Sequence, residues 1–138
     1  MDTAIASRGS PATLHIPLPP GAQAARHARQ TVAGLLAAEP ASCPRAVAED
    51  LVLIVSELVT NAVLHAKGPY ALTVSLEEGW AGVAVSDGSA DLAEHHRDGG
   101  QQRAETGGRG LKIVRELGAD LFVSRSDIGK QVIAVLTW

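Results

Sequence analysis

One segment, residues 51–65, contains neither glycine nor proline and carries apolar residues on most sides of a helix. A helix that is apolar nearly all round is usually buried. Glu57, Asn61 and His65 are spaced by four residues, so they share one stripe of this helix. A buried carboxylate and amide need partners in place of water. A magnesium ion with bound phosphates would supply them, because Mg²⁺ prefers oxygen ligands.

The same stripe has a simpler interpretation. Glu57 would lie in water at the surface of the helix, and Asn61 would bond to a neighbouring loop. His65, near the end of the helix, would interact with the helix dipole. Helix periodicity alone favours this second interpretation, so the choice depends on residues elsewhere in the chain.

The sequence before this segment predicts a strand and a further helix. Residues 12–18 alternate apolar and polar side chains and are flanked by prolines, which indicates a strand at a sheet edge. Residues 22–38 have apolar positions at helical spacing. The next helix is expected over residues 42–67, with Ser42 as its N-cap. Residues 1–11 show no such pattern and are expected to form a loose tail.

The sequence after this segment predicts a hairpin and then a long polar loop. Residues 70–77 and 80–86 alternate on either side of a Glu-Gly turn, which is typical of an antiparallel hairpin. Residues 87–106 are polar and have no periodicity. A loop of this length inside a compact domain is usually functional or disordered.

The last part of the chain predicts one helix and two strands, at residues 111–117, 120–125 and 131–138, with Gly118 ending the helix. All these elements fit one domain over residues 12–138. We expect an α+β fold of two layers, with the helices on one face of a mixed, mostly antiparallel sheet.

Composition argues against two classes of partner. The formal net charge is -3, and the only aromatic residues are Tyr70, Trp80, Phe122 and Trp138. Nucleic-acid-binding proteins are usually basic, and single strands stack on aromatic side chains, so we expect no direct nucleic-acid partner. We find neither a signal peptide nor an apolar run long enough to span a membrane, and Cys43 is a single cysteine. A soluble, cytoplasmic protein is therefore expected.

Two further groups of residues have both a functional and a structural interpretation. Asp87 and Gly88 follow a strand and form either a simple turn or an acceptor for an exocyclic amine. Residues 106–111, Thr-Gly-Gly-Arg-Gly-Leu, lie at the start of a predicted helix. Either their backbone amides bind a phosphate, or the segment is a flexible hinge or simply the start of the helix. The sequence lacks the Gly-Lys-Ser/Thr of a Walker loop.

Taken in order, these groups resemble the ATP-binding domain of the GHKL superfamily, which includes gyrase and histidine kinases. Residues 57–66, ELVTNAVLHA, resemble its N box, and Asp87 matches the aspartate of its first glycine box. Residues 108–114, GRGLKIV, resemble its second glycine box, and GKQV at residues 129–132 resembles the entry to its final strand. The closest likeness is to the single-domain anti-sigma factor serine kinases of bacteria.

The resemblance implies a role for each residue of the first two motifs. Asn61 would coordinate Mg²⁺ that bridges the phosphates of ATP. Glu57 would be the general base that accepts the proton of an attacking hydroxyl. Asp87, with Gly88 beside it, would bind the adenine amine, and residues 87–107 would be the ATP lid.

The resemblance also implies a phosphate-binding role for the second glycine box. Gly108 and Gly110 would lie against the phosphates, and Leu111 belongs to the same nucleotide-binding segment. Arg109 and Lys112 would supply positive charge. Phosphoryl transfer depends mainly on positioning and charge stabilisation, so this small set of residues suffices chemically.

The implied function is that of an anti-sigma factor with ATP-dependent serine/threonine protein kinase activity. Its partners would be a sigma factor and an anti-anti-sigma protein of the STAS type. Because related proteins form homodimers, the resemblance also implies a possible homodimer. Two residues depart from the family pattern: Ser89 replaces a usual glycine and Gln131 a usual threonine. Both changes are expected to weaken nucleotide binding. The alternative is therefore a regulatory binding module, with or without ATP, that has no kinase activity.

Overall fold

The computed structural model describes residues 12–39, 43–89, 100–103 and 109–138. The predicted tail, residues 1–11, lies outside the described residues. The elements follow in the order β1 (Ala12–Leu18), α1 (Gln23–Ala38), α2 (Arg45–His65), β2 (Tyr70–Glu77), β3 (Trp80–Asp87), β4 (Gly100–Arg103), α3 (Arg109–Glu116), β5 (Asp120–Ser126) and β6 (Gly129–Thr137).

The strands form one sheet in the order β1-β2-β3-β6-β5-β4. Every pairing within the described part of this sheet is antiparallel. The predicted hairpin is confirmed, since β2 pairs directly with β3. The β3–β6 register places Asp87 opposite Lys130 and Ser86 opposite Gln131, which brings the last residues of β3 beside the start of β6.

The helices cover one face of the sheet, as the sequence predicts. Along β2, β3 and β6, buried side chains alternate with half-buried ones, so one face of each strand is covered and the other is partly open. Helix α2 packs against β2 and β3, while α1 contacts α2 and α3 contacts β5. The largest fully buried side chains are aliphatic: Leu51, Ile54, Leu58, Leu72, Leu76, Leu121, Val32, Val55, Val59, Val74, Val83 and Val85. The α+β fold is thus confirmed.

Helix α2 is less buried than its sequence predicts. Leu51, Ile54 and Leu58 are buried in the core, but Leu64 is 70% exposed and Leu53 is 39% exposed. The expectation of a helix buried nearly all round is therefore wrong on one side. The physical reason is that the sheet lies on one side of α2, and α1 and α3 cover only part of the remainder.

Both boundaries of α2 differ from the prediction. The N-cap position of α2 is Pro44, with no side-chain cap, so the expected N-cap at Ser42 is wrong. Proline fits there because the first helical amides lack partners within the helix. The helix ends at His65 rather than near Lys67.

Among the described residues, no helix is both long and apolar enough to cross a membrane.

A short strand, β4, lies where the sequence predicts only a loop. Gly100–Arg103 pairs with β5 from Phe122 to Arg125. Its sequence, GQQR, has no alternation of apolar and polar residues, so the sequence pattern does not predict a strand. The strand forms at the edge of the sheet, where its backbone pairs with β5. The predicted lid therefore contains regular structure at residues 100–103. Residues 90–99 and 104–107 of that lid lie outside the described residues.

Candidate functional site

Helix α2 presents the first two candidate residues from neighbouring turns. Glu57 and Asn61 are both half-buried, whereas His65 is exposed at the end of the helix. Four residues of an α-helix rise about 6 Å, so the carboxylate and the amide follow one another along the same stripe. Their half-buried state leaves both groups able to meet a ligand.

Glu57 lies directly against the first turn of α3. A Cβ built on Gly110 would lie 2.8 Å from Oε1 of Glu57, so any side chain there would push the flexible end of Glu57 aside. Glycine at residue 110 thus lets the backbone of α3 approach the Glu57 carboxylate. The structure therefore brings the predicted general base and the second glycine box together, although they are far apart in sequence.

The other described residues of the second glycine box differ in how exposed they are to a ligand. Gly108 lies outside the described residues, and Arg109 is the first residue of α3. Leu111 is 5% exposed and belongs to the hydrophobic core, so only its backbone remains available to a nucleotide. Lys112 is exposed one position later, where its ammonium group is free to meet a phosphate.

Asp87 is the one charged residue that is buried among the described residues, with 6% of its surface exposed. Its Oδ1 accepts a hydrogen bond of 2.8 Å from the backbone N–H of Ser89. Its Oδ2 has no hydrogen-bond partner in the described part of the chain and lies 3.6 Å from Nζ of Lys130. A buried carboxylate oxygen without a hydrogen bond is costly. Oδ2 is therefore a place where a ligand donor would be stabilised.

The turn after Asp87 is tied to the segment that follows α2. The N–H of Gly88 donates to the carbonyl oxygen of Lys67 at 2.7 Å, and the N–H of Lys67 donates to Oγ of Ser89 at 2.7 Å. A Cβ on Gly88 would lie 2.5 Å from the carbonyl oxygen of Gly68, so glycine is required for this close approach. These contacts place Asp87 near the C-terminal end of the helix that carries Asn61.

Sequence reasoning does not give the contacts that three residues make at this end of the sheet. Lys130 approaches Asp87 because the β3–β6 register makes them direct neighbours, which a single sequence does not show. Ser89 and Lys67 meet through one hydrogen bond across a wide separation in sequence. Gly129, within the GKQV motif, is a sequence signal for this approach: a Cβ on Gly129 would collide with the carbonyl oxygen of Asp87.

Two cavities open at this end of the molecule. One of about 450 Å³ is lined by Asp87, Gly88 and Lys130 together with residues of the open sheet face. Another of about 550 Å³ lies at the end of α2, against Gly88 and Ser89. Within the described residues, neither wall includes Glu57 or Asn61.

The residues that the structure describes fit a nucleotide with its metal ion. An exocyclic amine would donate the hydrogen bond that Oδ2 of Asp87 lacks. Asn61 offers one oxygen ligand, which suits Mg²⁺ because this ion is usually held by one or two protein oxygens plus phosphates and water. The described residues contain no cluster of three or more His, Cys, Asp or Glu that could hold a metal ion.

Comparison with known proteins identifies the family of this chain. None of the curated proteins compared with the chain matches it. One family model does match, that of the histidine kinase-like ATPase domain, over residues 18–136. This range begins at the last residue of β1 and extends into β6, so it includes every described helix and all the candidate residues. The chain therefore belongs to the histidine kinase-like ATPase domain family, as its GHKL-type motifs predict.

Proposed function

We propose that this protein binds Mg-ATP and uses it as a serine/threonine protein kinase that also acts as an anti-sigma factor. The observation that carries the proposal is the buried Asp87 carboxylate, whose Oδ2 has no hydrogen-bond partner among the described residues. This group stands at the end of the sheet, close to the end of the helix that carries Glu57 and Asn61, so we infer that one extended ligand would reach all three.

For nucleotide binding, Asp87 would accept a hydrogen bond from the adenine amine and Asn61 would ligate Mg²⁺. The ion supplies positive charge that neutralises the phosphate oxygens when it is bound. Lys112 is exposed near the first turn of α3, where its ammonium group would add to that charge. Gly110 keeps the backbone of this turn close to Glu57, so phosphate and base would share one region.

For phosphoryl transfer, Glu57 would accept the proton of a serine or threonine hydroxyl on the substrate protein. The hydroxyl oxygen then forms a bond to the γ-phosphorus while the bond to the departing ADP breaks. Glu57 suits this role because its carboxylate is half-buried rather than enclosed. A protein hydroxyl is therefore able to approach it from the exposed side of α2.

The proposed substrate is an anti-anti-sigma protein of the STAS type, and the proposed partner is a sigma factor. This part of the proposal is supported by the N box and second glycine box, which resemble those of bacterial anti-sigma factor kinases most closely. Phosphorylation of the substrate would then decide which partner this chain holds. A homodimer is proposed on the same resemblance.

A second function, a regulatory module without kinase activity, is motivated by the altered first glycine box. Ser89 and Gln131 stand where the family usually has glycine and threonine. Such a module would regulate its partner by contact alone, with or without ATP. Loss of phosphate transfer with retained partner binding would favour this function over the first.

Titration with ATP in the presence and absence of Mg²⁺ tests nucleotide binding. We expect micromolar binding that weakens about tenfold or more without Mg²⁺ or in Asn61→Ala, because Asn61 is the proposed metal ligand. Thr60→Ala is the matched control, since Thr60 is an exposed neighbour on the same helix. Binding that is absent in the wild type, or unaffected in Asn61→Ala, would contradict this part of the proposal.

Incubation with Mg-[γ-³²P]ATP and candidate anti-anti-sigma proteins tests catalysis. Glu57→Gln is expected to lower the transfer rate by roughly a hundredfold or more while nucleotide affinity stays similar, because only the proton acceptor is removed. Glu49→Gln on the same helix is the control. Failure of the wild type to phosphorylate any candidate, or equal rates in Glu57→Gln, would sink the kinase function.

A further inference from the structure

Ser89 contacts both sides of the turn that carries Asp87. Its backbone N–H donates to Oδ1 of Asp87 at 2.8 Å, and its hydroxyl accepts from the N–H of Lys67 at 2.7 Å. Gly88 adds a third hydrogen bond, from its own N–H to the carbonyl oxygen of Lys67. We call these three hydrogen bonds among Lys67, Asp87, Gly88 and Ser89 the Ser89 clasp.

We propose that Ser89 is a positioning residue, which holds the Asp87 carboxylate so that Oδ2 alone faces a ligand amine. The proposal rests on the ATP binding proposed above. With Oδ1 occupied by the Ser89 N–H, the carboxylate has a fixed orientation. That N–H keeps its place only while the turn keeps its shape, and the hydroxyl bond to Lys67 holds the turn against the chain segment after α2.

This role explains how the chain tolerates its departure from the family pattern. A glycine at residue 89 would still offer a backbone N–H to Asp87, but it has no hydroxyl to accept the Lys67 amide. Glycine would also give the turn more backbone freedom. Ser89 therefore replaces a flexible residue with one that is hydrogen-bonded on both sides, so the substitution orients Asp87 rather than weakening its site.

Lys130 completes the arrangement from the other side. Its ammonium group lies 3.6 Å from Oδ2, beyond an ordinary hydrogen bond but close enough to balance the charge of the buried carboxylate. Oδ2 is thus left as a charged acceptor with an open place for one donor. A nucleotide with an exocyclic amine would fill that place, and one without the amine would leave Oδ2 unsatisfied.

The test compares the affinities of Mg-ATP and of the triphosphate of purine riboside, which has hydrogen in place of the amine. Calorimetry on the wild type is expected to give roughly a tenfold or greater preference for ATP, the value of a hydrogen bond to a charged group. Ser89→Ala is expected to reduce this ratio below about threefold, since an unanchored turn loses the orientation of Asp87. Ser89→Thr retains the hydroxyl and is expected to keep the wild-type ratio.

The outcomes separate this inference from the proposed function. A wild type that binds neither nucleotide contradicts ATP binding itself and, with it, the role of Ser89. A wild type that prefers ATP, with the same preference in Ser89→Ala, overturns only the role of Ser89, even if both affinities fall together. If Ser89 had only a structural role, Ser89→Ala would lower both nucleotide affinities and the melting temperature. The ratio of the two affinities would then stay unchanged.

A second measurement uses only the wild type, in case Ser89→Ala does not fold. The amide of Lys67 donates to Ser89, so its hydrogen exchange reports on the clasp. We expect ATP to slow this exchange several-fold more than the amine-free nucleotide does, because only ATP engages Oδ2. Equal protection by both nucleotides at saturation would contradict the inference.

Discussion

The two ends of strand β3 are built from different chemistry. At the Trp80 end, the hairpin turns through Gly79 at a φ of 85°, and the Trp80 ring lies over Gly82. At the other end, Asp87 is buried beside Lys130 and lies in the Ser89 clasp. Both ends bring backbone close to backbone, but of the two only the Asp87 end encloses a carboxylate oxygen, Oδ2, that lacks a hydrogen bond within the described chain. From this difference we infer that the Trp80 end serves the fold alone, whereas the Asp87 end is the proposed ligand site.

The largest expected effect comes from Gly129→Ala at the Asp87 end. The added Cβ would collide with the carbonyl oxygen of Asp87, so β3 and β6 would have to move apart. We expect a loss of about 3 kcal/mol in the free energy of unfolding, measured in urea, together with a loss of ATP affinity.

Gly79→Ala at the Trp80 end is its matched control. A positive φ is unfavourable for alanine by about 1–2 kcal/mol, so stability falls. The affinity for ATP is expected to stay within about twofold of the wild type. Equal losses of affinity in both variants would show that the two ends do not differ in function.

Asp87→Asn is expected to lower the affinity for Mg-ATP by roughly thirtyfold, or about 2 kcal/mol. The amide has nearly the same shape as the carboxylate but is a weaker acceptor, and its NH₂ group would face the ligand amine or Lys130. Calorimetric titration measures the change, and Asp50→Asn on α2 serves as the control. An unchanged affinity in Asp87→Asn would remove the main difference between the two ends of β3.

Lys130→Met is expected to destabilise the protein by roughly 1–2 kcal/mol, since it leaves a buried carboxylate without its cation. The Lys130 side chain is 23% exposed, so the effect is smaller than for a fully buried pair. Thermal unfolding provides the measurement.

Arg45→Met is the control, because the Arg45–Glu49 pair on α2 is largely exposed. We expect it to cost less than about 0.5 kcal/mol. If the two variants destabilised the protein equally, the burial of Asp87 would have no energetic consequence and the ion pair would act as an ordinary surface contact.

The fold was largely predictable because local patterns in this chain agree with tertiary structure. The alternation in residues 70–77 matches β2 residue for residue, and Gly118, with a φ of 94°, ends α3 as predicted. The exceptions are segments whose structure depends on distant partners. β4 forms only through its pairing with β5, and the exposed side of α2 depends on which neighbours cover it.

The sequence names the candidate residues but does not give their geometry. Periodicity placed Glu57 and Asn61 on one stripe, and family order singled out Asp87. The burial of Asp87 and its contact with Lys130 follow from the β3–β6 register, which only the folded chain provides. Ser89, expected to weaken the site, takes part in the hydrogen bonds that hold it.

The central claim is that the Asp87 end of the sheet, with Asn61 on the adjacent helix, is the nucleotide site. Titration of ¹⁵N-labelled protein with Mg-ATP, followed by amide chemical shifts, tests it most directly. The account predicts that the largest shifts occur at Asn61, Lys67, Asp87 and Gly88, with little change at Gly79 and Trp80. Saturable shifts concentrated at the Trp80 end, or no shifts at millimolar ATP, would contradict it.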